Sequence, residues 1–371
     1  MKDKIIKSLF VWYKTCNGLK HFFAHWLLYF YYMPLRINIG NIKMARDRIV
    51  KDNPSKSSKK IFWDLLTMNI LKGASPEEFI TYHLQDITLR QRLTFMFCIE
   101  LNLFSGSCNL NAPKDILDDK SNTSHYFKNF YKRDCLLVQS RDNYKDFCDF
   151  CHNHSRFFYK PFKGACGKDS GVADTSIKSK DELFDYFVSN GPYNIEELII
   201  QCDEMASFNS SSVNTVRTTM FRTKDGIELL FGFIRCGRKG FTVDNGGAGG
   251  IIIPYDPDSG KLGKYGFDES GRKYTEHPDS NVVFEGFQIP RWNEILDVSN
   301  KVTEMLPDFS YVGWDIAVTN DGVQLVEGNS RPMFVGLQGM HTTGFRKEIN
   351  DILKTGVISS SFREKQKEIL S

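Results

Sequence analysis

The chain has no hydrophobic run long enough to cross a bilayer. Its most apolar uncharged stretch, residues 21–35 (HFFAHWLLYFYYMPL), is 15 residues long, against the roughly 20 a spanning helix needs. That stretch begins too late and lacks the small-residue cleavage site of a secretory signal. Internal repeats and low-complexity segments are absent. The nine cysteines follow no small-scaffold spacing, and 371 residues need no staples, so reduced thiols in a cytosolic protein are expected. One local cluster, Cys148, Cys151, His152 and His154, has zinc-ligand chemistry but no second Cys/His pair at finger spacing. The net charge is only +3, which gives no general affinity for nucleic acid. Neither GxxxxGK[ST] nor GxGxxG occurs, so the P-loop and Rossmann nucleotide folds are disfavoured.

What is present is a globular composition, 41% hydrophobic and 25% charged, with length for two or three domains. Charge is uneven: residues 1–60 carry 13 Lys and Arg against 3 Asp and Glu. A basic, aromatic N-terminal segment of this kind suits either a helix lying in the interface of an anionic membrane, through residues 1–50, or a helix packed on the main body. Residues 51–60 (KDNPSKSSKK) mark a linker. Residues 61–109 read as a helical unit, with Ser75 as N-cap and Pro76 at the first helical position. Residues 110–155 read as a small α/β subdomain, residues 156–345 as the main core, and residues 346–371 as a C-terminal helix. In the core, strands are expected at 157–161, 195–201, 213–221, 227–235, 250–254, 314–319 and 323–327, with a hairpin turn at Asn320-Asp321-Gly322. Helices are expected at 179–190 and 292–305.

Two constellations carry chemistry. Lys160 ends a strand that runs into a loop with Gly164, Gly167 and Gly171, whose amides can approach phosphates unobstructed by Cβ atoms. Asp315 lies on one hairpin strand, and Glu327 and Asn329 lie on the next. Alternation puts Glu327 and Asn329 on one face, and pairing brings Asp315 beside them. Three oxygen-bearing side chains converging in apolar surroundings suit Mg²⁺ shared with substrate phosphates.

In this order the residues resemble ATP-grasp enzymes: a strand lysine, a glycine-rich loop, a Glu-Glu-Leu-Ile hinge, then Asp315 and Glu327-Gly328-Asn329. In detail they resemble the sugar-transfer-associated ATP-grasp group, through Lys160-Pro161 and its loop, residues 212–217 (SVNTVR), 244–251 (DNGGAGGI), 277–279 (HPD), 313–317 (GWDIA) and 327–329 (EGN). The resemblance implies an α+β, ATP-grasp fold, two α/β subdomains gripping ATP, preceded by a helical, basic N-terminal region. It also implies roles. Lys160 and Lys168, with Gly164, Gly167 and Gly171, would hold the triphosphate. Glu196, Glu197, Leu198 and Ile199 would form the adenine hinge, with Gln201 or Asp203 near the ribose. Asp315, Glu327 and Asn329 would ligate Mg²⁺. Arg217 and Lys160 would act on the transferring phosphoryl group, where a cation offsets developing charge. Asn214, Arg235, Arg238, Asp244, Asn245, His277 and Arg331 would meet the substrate.

The implied reaction is carboxylate–amine ligation through an acyl-phosphate, with ATP and Mg²⁺ as cofactors. Its implied substrates are an amino acid or peptide and a uronic acid or amino sugar on a nucleotide- or lipid-linked glycan of surface polysaccharide biosynthesis, in the cytoplasm or at the inner membrane face. A kinase acting on a sugar hydroxyl would use the same residues, and a non-catalytic ATP-binding scaffold is the third alternative.

Overall fold

In the computed structural model, residues 2–32, 37–162, 169–244 and 249–371 are described. Eleven strands form two antiparallel sheets among these residues: β1 Cys135–Val138, β2 Arg156–Pro161, β3 Gly171–Asp174, β4 Tyr193–Glu197, β5 Thr215–Arg222, β6 Ile227–Cys236, β7 Ile251–Pro254, β8 Gly266–Phe267, β9 Lys273–Tyr274, β10 Tyr311–Thr319 and β11 Gly322–Asn329. The smaller sheet has the order β1-β4-β2-β3, the larger β11-β10-β5-β6-β7-β8-β9. Strands of the smaller sheet come from both sides of residue 155, where the sequence suggests a boundary, because β1 pairs with β4.

The smaller sheet rests on helices Tyr144–Asn153 and Lys180–Ser189, which bury Phe147, Phe150, Phe184 and Phe187 against Phe157 and Ile195. The second helix starts at a capping box of Ser179 and Glu182, a pairing that satisfies two otherwise orphaned amides. Both faces of the larger sheet are covered, so β10 is buried at all nine positions. On one face lies helix Trp292–Glu304, through Ile295, Val298 and Val302. On the other, Phe221, Phe231, Phe233 and Tyr311 pack with Phe10, Ala24 and Leu28 of the N-terminal helices Lys2–Thr15 and Gly18–Tyr32. The basic N-terminus is therefore built into the main body.

Helix Ile39–Asp52 joins residues 61–97 in a separate apolar cluster. Helix Pro76–Thr81 begins as expected, with Ser75 and Glu78 in a capping box and Pro76 in the first turn. The C-terminal segment holds two helices, Arg346–Thr355 and Ser360–Glu368, separated at Gly356, whose φ of 66° ends the first.

Candidate functional site

A cavity of about 620 Å³ lies between the two sheets. Phe158, Lys160 and Val172 approach from the smaller sheet, Thr215 and Val326 from the larger, and residues 198–201 close one edge.

The expected strand over 195–201 ends early, at Glu197, and Leu198 to Ile200 leave the sheet. Ile200 is 77% exposed, so the apolar run is a crossing segment rather than a buried strand. Main-chain pairing resumes at Gln201, which bridges to Thr319, and at Cys202, whose N–H donates to the Val318 carbonyl at 2.9 Å. Among the described residues, the peptide groups of Leu198 and Ile199 have no main-chain partner, which suits a flat heteroaromatic base read by backbone.

Glu196 does not belong to the hinge. It belongs to β4, is 3% exposed, and turns its carboxylate to Lys160 Nζ at 2.5 Å and to Arg133 Nη2 at 2.8 Å. The Asn194 amide donates to Oε1, the same oxygen that Lys160 meets, at 2.7 Å. Burial alone would raise this carboxyl, but Lys160 and Arg133 hold it at about 2. Arg133 also donates to the Leu325 carbonyl at 2.7 Å, so one buried guanidinium ties the smaller sheet to β11 of the larger. Nothing local in the sequence singles out Arg133, whose partners lie far along the chain. Glu197, by contrast, sits at the edge with Asp134 and His154, where the His154 ring contacts the Asp134 carboxylate at 2.9 Å. Cys151 is buried in the core, and Cys148, Cys151, His152 and His154 do not come together as a metal site among the described residues.

At the far end of the cleft the hairpin behaves as its alternation requires. Asp315 pairs directly with Glu327 on β11 and with Arg217 on β5, so all three project to one face. A register shift between Asp315 and Ile316 marks a bulge at this point. Asp315 is fully buried and accepts both forks of Arg217, one at 2.8 Å, plus Arg235 Nη2 at 2.7 Å and the Asn329 amide at 3.4 Å. Burial would raise Asp315, and Arg217 and Arg235 hold it below the usual carboxylate value. Glu327 is half-buried and has no hydrogen-bond partner among the described residues. Two carboxylates and an amide form a hard-oxygen donor set, and Glu327 keeps both oxygens free, so the residues fit Mg²⁺. Room beneath Arg217 depends on Gly232: a Cβ there would lie 1.8 Å from the Tyr255 hydroxyl, which donates to the Arg217 carbonyl at 2.8 Å.

The other expected residues divide. Asp244 lines the cavity and accepts from the Thr215 hydroxyl at 2.5 Å and amide at 3.1 Å, with Arg235 at 3.7 Å; burial pushes it above the usual value. Gly171 opens β3 opposite Tyr159, whose hydroxyl a Cβ would approach to 2.9 Å. The Gln201 side chain is not a free ribose ligand: its amide nitrogen bonds the Asn209 and Ser212 carbonyls, and its oxygen takes the Asn214 amide. Asn214 is fully buried and spends its side chain on the Met205 and Asn209 carbonyls and the Gly237 amide, so it braces the backbone. Asp203 is exposed on a four-residue helix outside the cavity. Arg238 is locked to Asp279 at 2.7 Å. His277 is fully buried, with Nε2 on the Gly237 carbonyl at 3.0 Å and Nδ1 facing the Asp279 amide at 3.4 Å, which rules out substrate contact in this conformation. Arg331 is exposed just past β11. Gly164, Gly167, Lys168 and Asn245 lie outside the described residues.

Two antiparallel sheets closing on a cleft, with a buried lysine on one side and an Asp, Glu and Asn hairpin on the other, define the ATP-grasp fold. The family model described as sugar-transfer associated ATP-grasp matches residues 104–354, and the chain belongs to that family. No protein of curated function matches it. Similar solved structures include the ATP-grasp ligase PsnB complexed with minimal precursor, at 13% identity over 65% of this chain and 61% of that one, with a TM-score of 0.39. D-Alanine-D-alanine ligase from Helicobacter pylori is similar at 14% identity over 65% and 61%, with a TM-score of 0.39. The ADP complex of purK, N5-carboxyaminoimidazole ribonucleotide synthetase, is similar at 13% over 70% and 53%, with a TM-score of 0.38. The chain spans less than two thirds of the length of each of these three proteins.

Proposed function

We propose that the chain is an ATP-dependent, ADP-forming ligase that joins a carboxylate to an amine. The observation that carries this reading is the cleft itself. An unpaired main-chain edge suited to adenine leads to Lys160, and beyond it to a cluster in which two guanidiniums and two carboxylates meet. Its volume falls within the range of nucleotide-sized sites.

In the proposed reaction a carboxylate oxygen of the substrate attacks the γ-phosphorus and the bond to the β-bridging oxygen breaks, releasing ADP. The amine then attacks the acyl carbon, phosphate leaves, and the amine's proton passes to solvent. Lys160 is positioned for the phosphates by Glu196 and Arg133. Arg217, oriented by Asp315, and Arg235, between Asp315 and Asp244, offset charge as the phosphoryl group moves, the main contribution open to such an enzyme. Asp315, Glu327 and Asn329 would hold Mg²⁺, which would supply neutralisation of charge on the triphosphate.

The family's association with sugar transfer supports a substrate pair of an amino acid or peptide with a uronic acid or amino sugar, carried on a nucleotide- or lipid-linked glycan of a surface polysaccharide. Dependence on ATP supports the cytoplasmic side. The test is ADP release screened over amino acids, nucleotide-linked uronic acids and lipid-linked glycans. Release that requires both a carboxylate and an amine is expected. Turnover with a hydroxyl acceptor alone, giving a stable phosphoester, would identify a kinase instead.

A further inference from the structure

Helix Gly18–Tyr32 is two-sided. Ala24, Leu28 and Tyr29 are buried, and the Tyr29 hydroxyl donates to the Ile70 carbonyl at 2.6 Å. The opposite side carries two rows at one-turn spacing, Leu19, Phe23, Leu27 and Tyr31 beside Phe22, Trp26 and Phe30. Trp26 meets Phe30 at 5.5 Å and Phe22 at 6.3 Å between ring centroids, so the second row is a continuous aromatic ladder. All of these except Trp26 are 45% to 75% exposed. At ~150–250 Å² per fully exposed aromatic side chain, the face leaves on the order of 500 Å² of apolar surface in contact with water, near the upper limit for a monomer.

Only one charge, Lys20, lies on this helix, yet it stands in the most basic part of the chain, where residues 1–60 sum to +10 from 13 Lys and Arg against 3 Asp and Glu. Lys4, Lys7, Lys20, Lys43 and Arg48 are exposed and have no acidic partner among the described residues. A helix of 15 residues cannot span a bilayer, and no helix of the described residues is long and apolar enough to cross one. Uncharged aromatics flanked by unpaired lysines match the headgroup boundary of an anionic bilayer, where rings enter the interface and ammonium groups meet lipid phosphates. We propose that the Leu19, Phe23, Phe30 face seats this protein in the interfacial layer of an anionic membrane, with helix Gly18–Tyr32 lying in the membrane plane. The buried side of the same helix fixes that face to the body that carries the cleft. This inference does not rest on the ligase reading.

Deleting the segment would uncover the core that Phe10, Ala24 and Leu28 close, so the test uses the full chain with point variants. Vesicles of phosphatidylcholine with about 30 mol% phosphatidylglycerol are sedimented with wild type, with Phe23→Glu/Phe30→Glu, and with Leu27→Glu as a second variant. Wild type is expected to bind these vesicles and not pure phosphatidylcholine, with binding lost at high salt. The variants should bind about tenfold or more weakly while keeping wild-type melting temperature and nucleotide binding. The proposal is overturned if wild type ignores anionic vesicles, if it binds neutral ones equally, or if a folded variant binds undiminished. It is also overturned if wild type is a dimer that the variants dissociate without any vesicle binding, since a second copy would then be the occupant.

Discussion

Replacing Glu196 by Gln should cost about 3 kcal/mol of stability at neutral pH, by two routes to the same figure. The carboxylate is 3% exposed and neutralises two buried cations, so its loss strands Lys160 and Arg133 without a counter-charge, a change that costs about 3–5 kcal/mol. Independently, a carboxyl held at about 2 instead of 4.5 favours the folded ion pair by about 3 kcal/mol. The sign follows from the depressed folded value. The contribution is complete above about pH 4.5 and fades as pH falls towards 2, leaving about 1.5 kcal/mol at pH 3. Urea unfolding followed by circular dichroism, for wild type and Glu196→Gln at pH 7 and pH 3, measures both. The reasoning fails if the variant matches wild type within about 0.5 kcal/mol at pH 7, or if the gap is unchanged at pH 3.

Glu327→Gln and Asp315→Asn should separate metal binding from architecture. The first removes a half-buried, unpartnered carboxylate and should abolish Mg²⁺-dependent turnover with stability changed by less than about 0.5 kcal/mol. The second strands Arg217, leaves Arg235 with Asp244 alone, and should also destabilise by about 3 kcal/mol, as thermal melting would register. Arg217→Lys, which loses the two-pronged contact, should lower kcat about 10²-fold or more in a steady-state assay with little change in melting. Burial lowers the His277 imidazole, so its contribution to stability is present above the ordinary histidine value and lost as pH falls. His277→Gln should therefore reduce stability without moving the pH profile of turnover.

The hairpin geometry is legible because β structure repeats every two residues: Asn320-Asp321-Gly322 fixes the turn, and Glu327 and Asn329 share a face with Asp315 opposite. The start of the hinge leaves no mark in the sequence, because Ile195 to Ile200 has strand composition throughout and only the partner sheet decides where pairing stops. Glu196 then changed from a hinge residue to the buried carboxylate that anchors Lys160, and Arg133 entered the site from 63 residues away. Such long-range ion pairs leave no local pattern. Asn214 and His277 have substrate-binding chemistry by type, and only burial shows that their polar atoms are already spent. The N-terminal aromatics suited both a packed helix and an interfacial one; the structure gives one side of helix Gly18–Tyr32 to the core and leaves the other exposed.

The most direct test of the central claim follows the oxygen atoms. With the carboxylate identified by the ADP-release screen and labelled with ¹⁸O, activation by γ-phosphoryl transfer predicts one labelled oxygen in the inorganic phosphate released at each turnover. Unlabelled phosphate, or release of AMP and pyrophosphate in place of ADP, would contradict it.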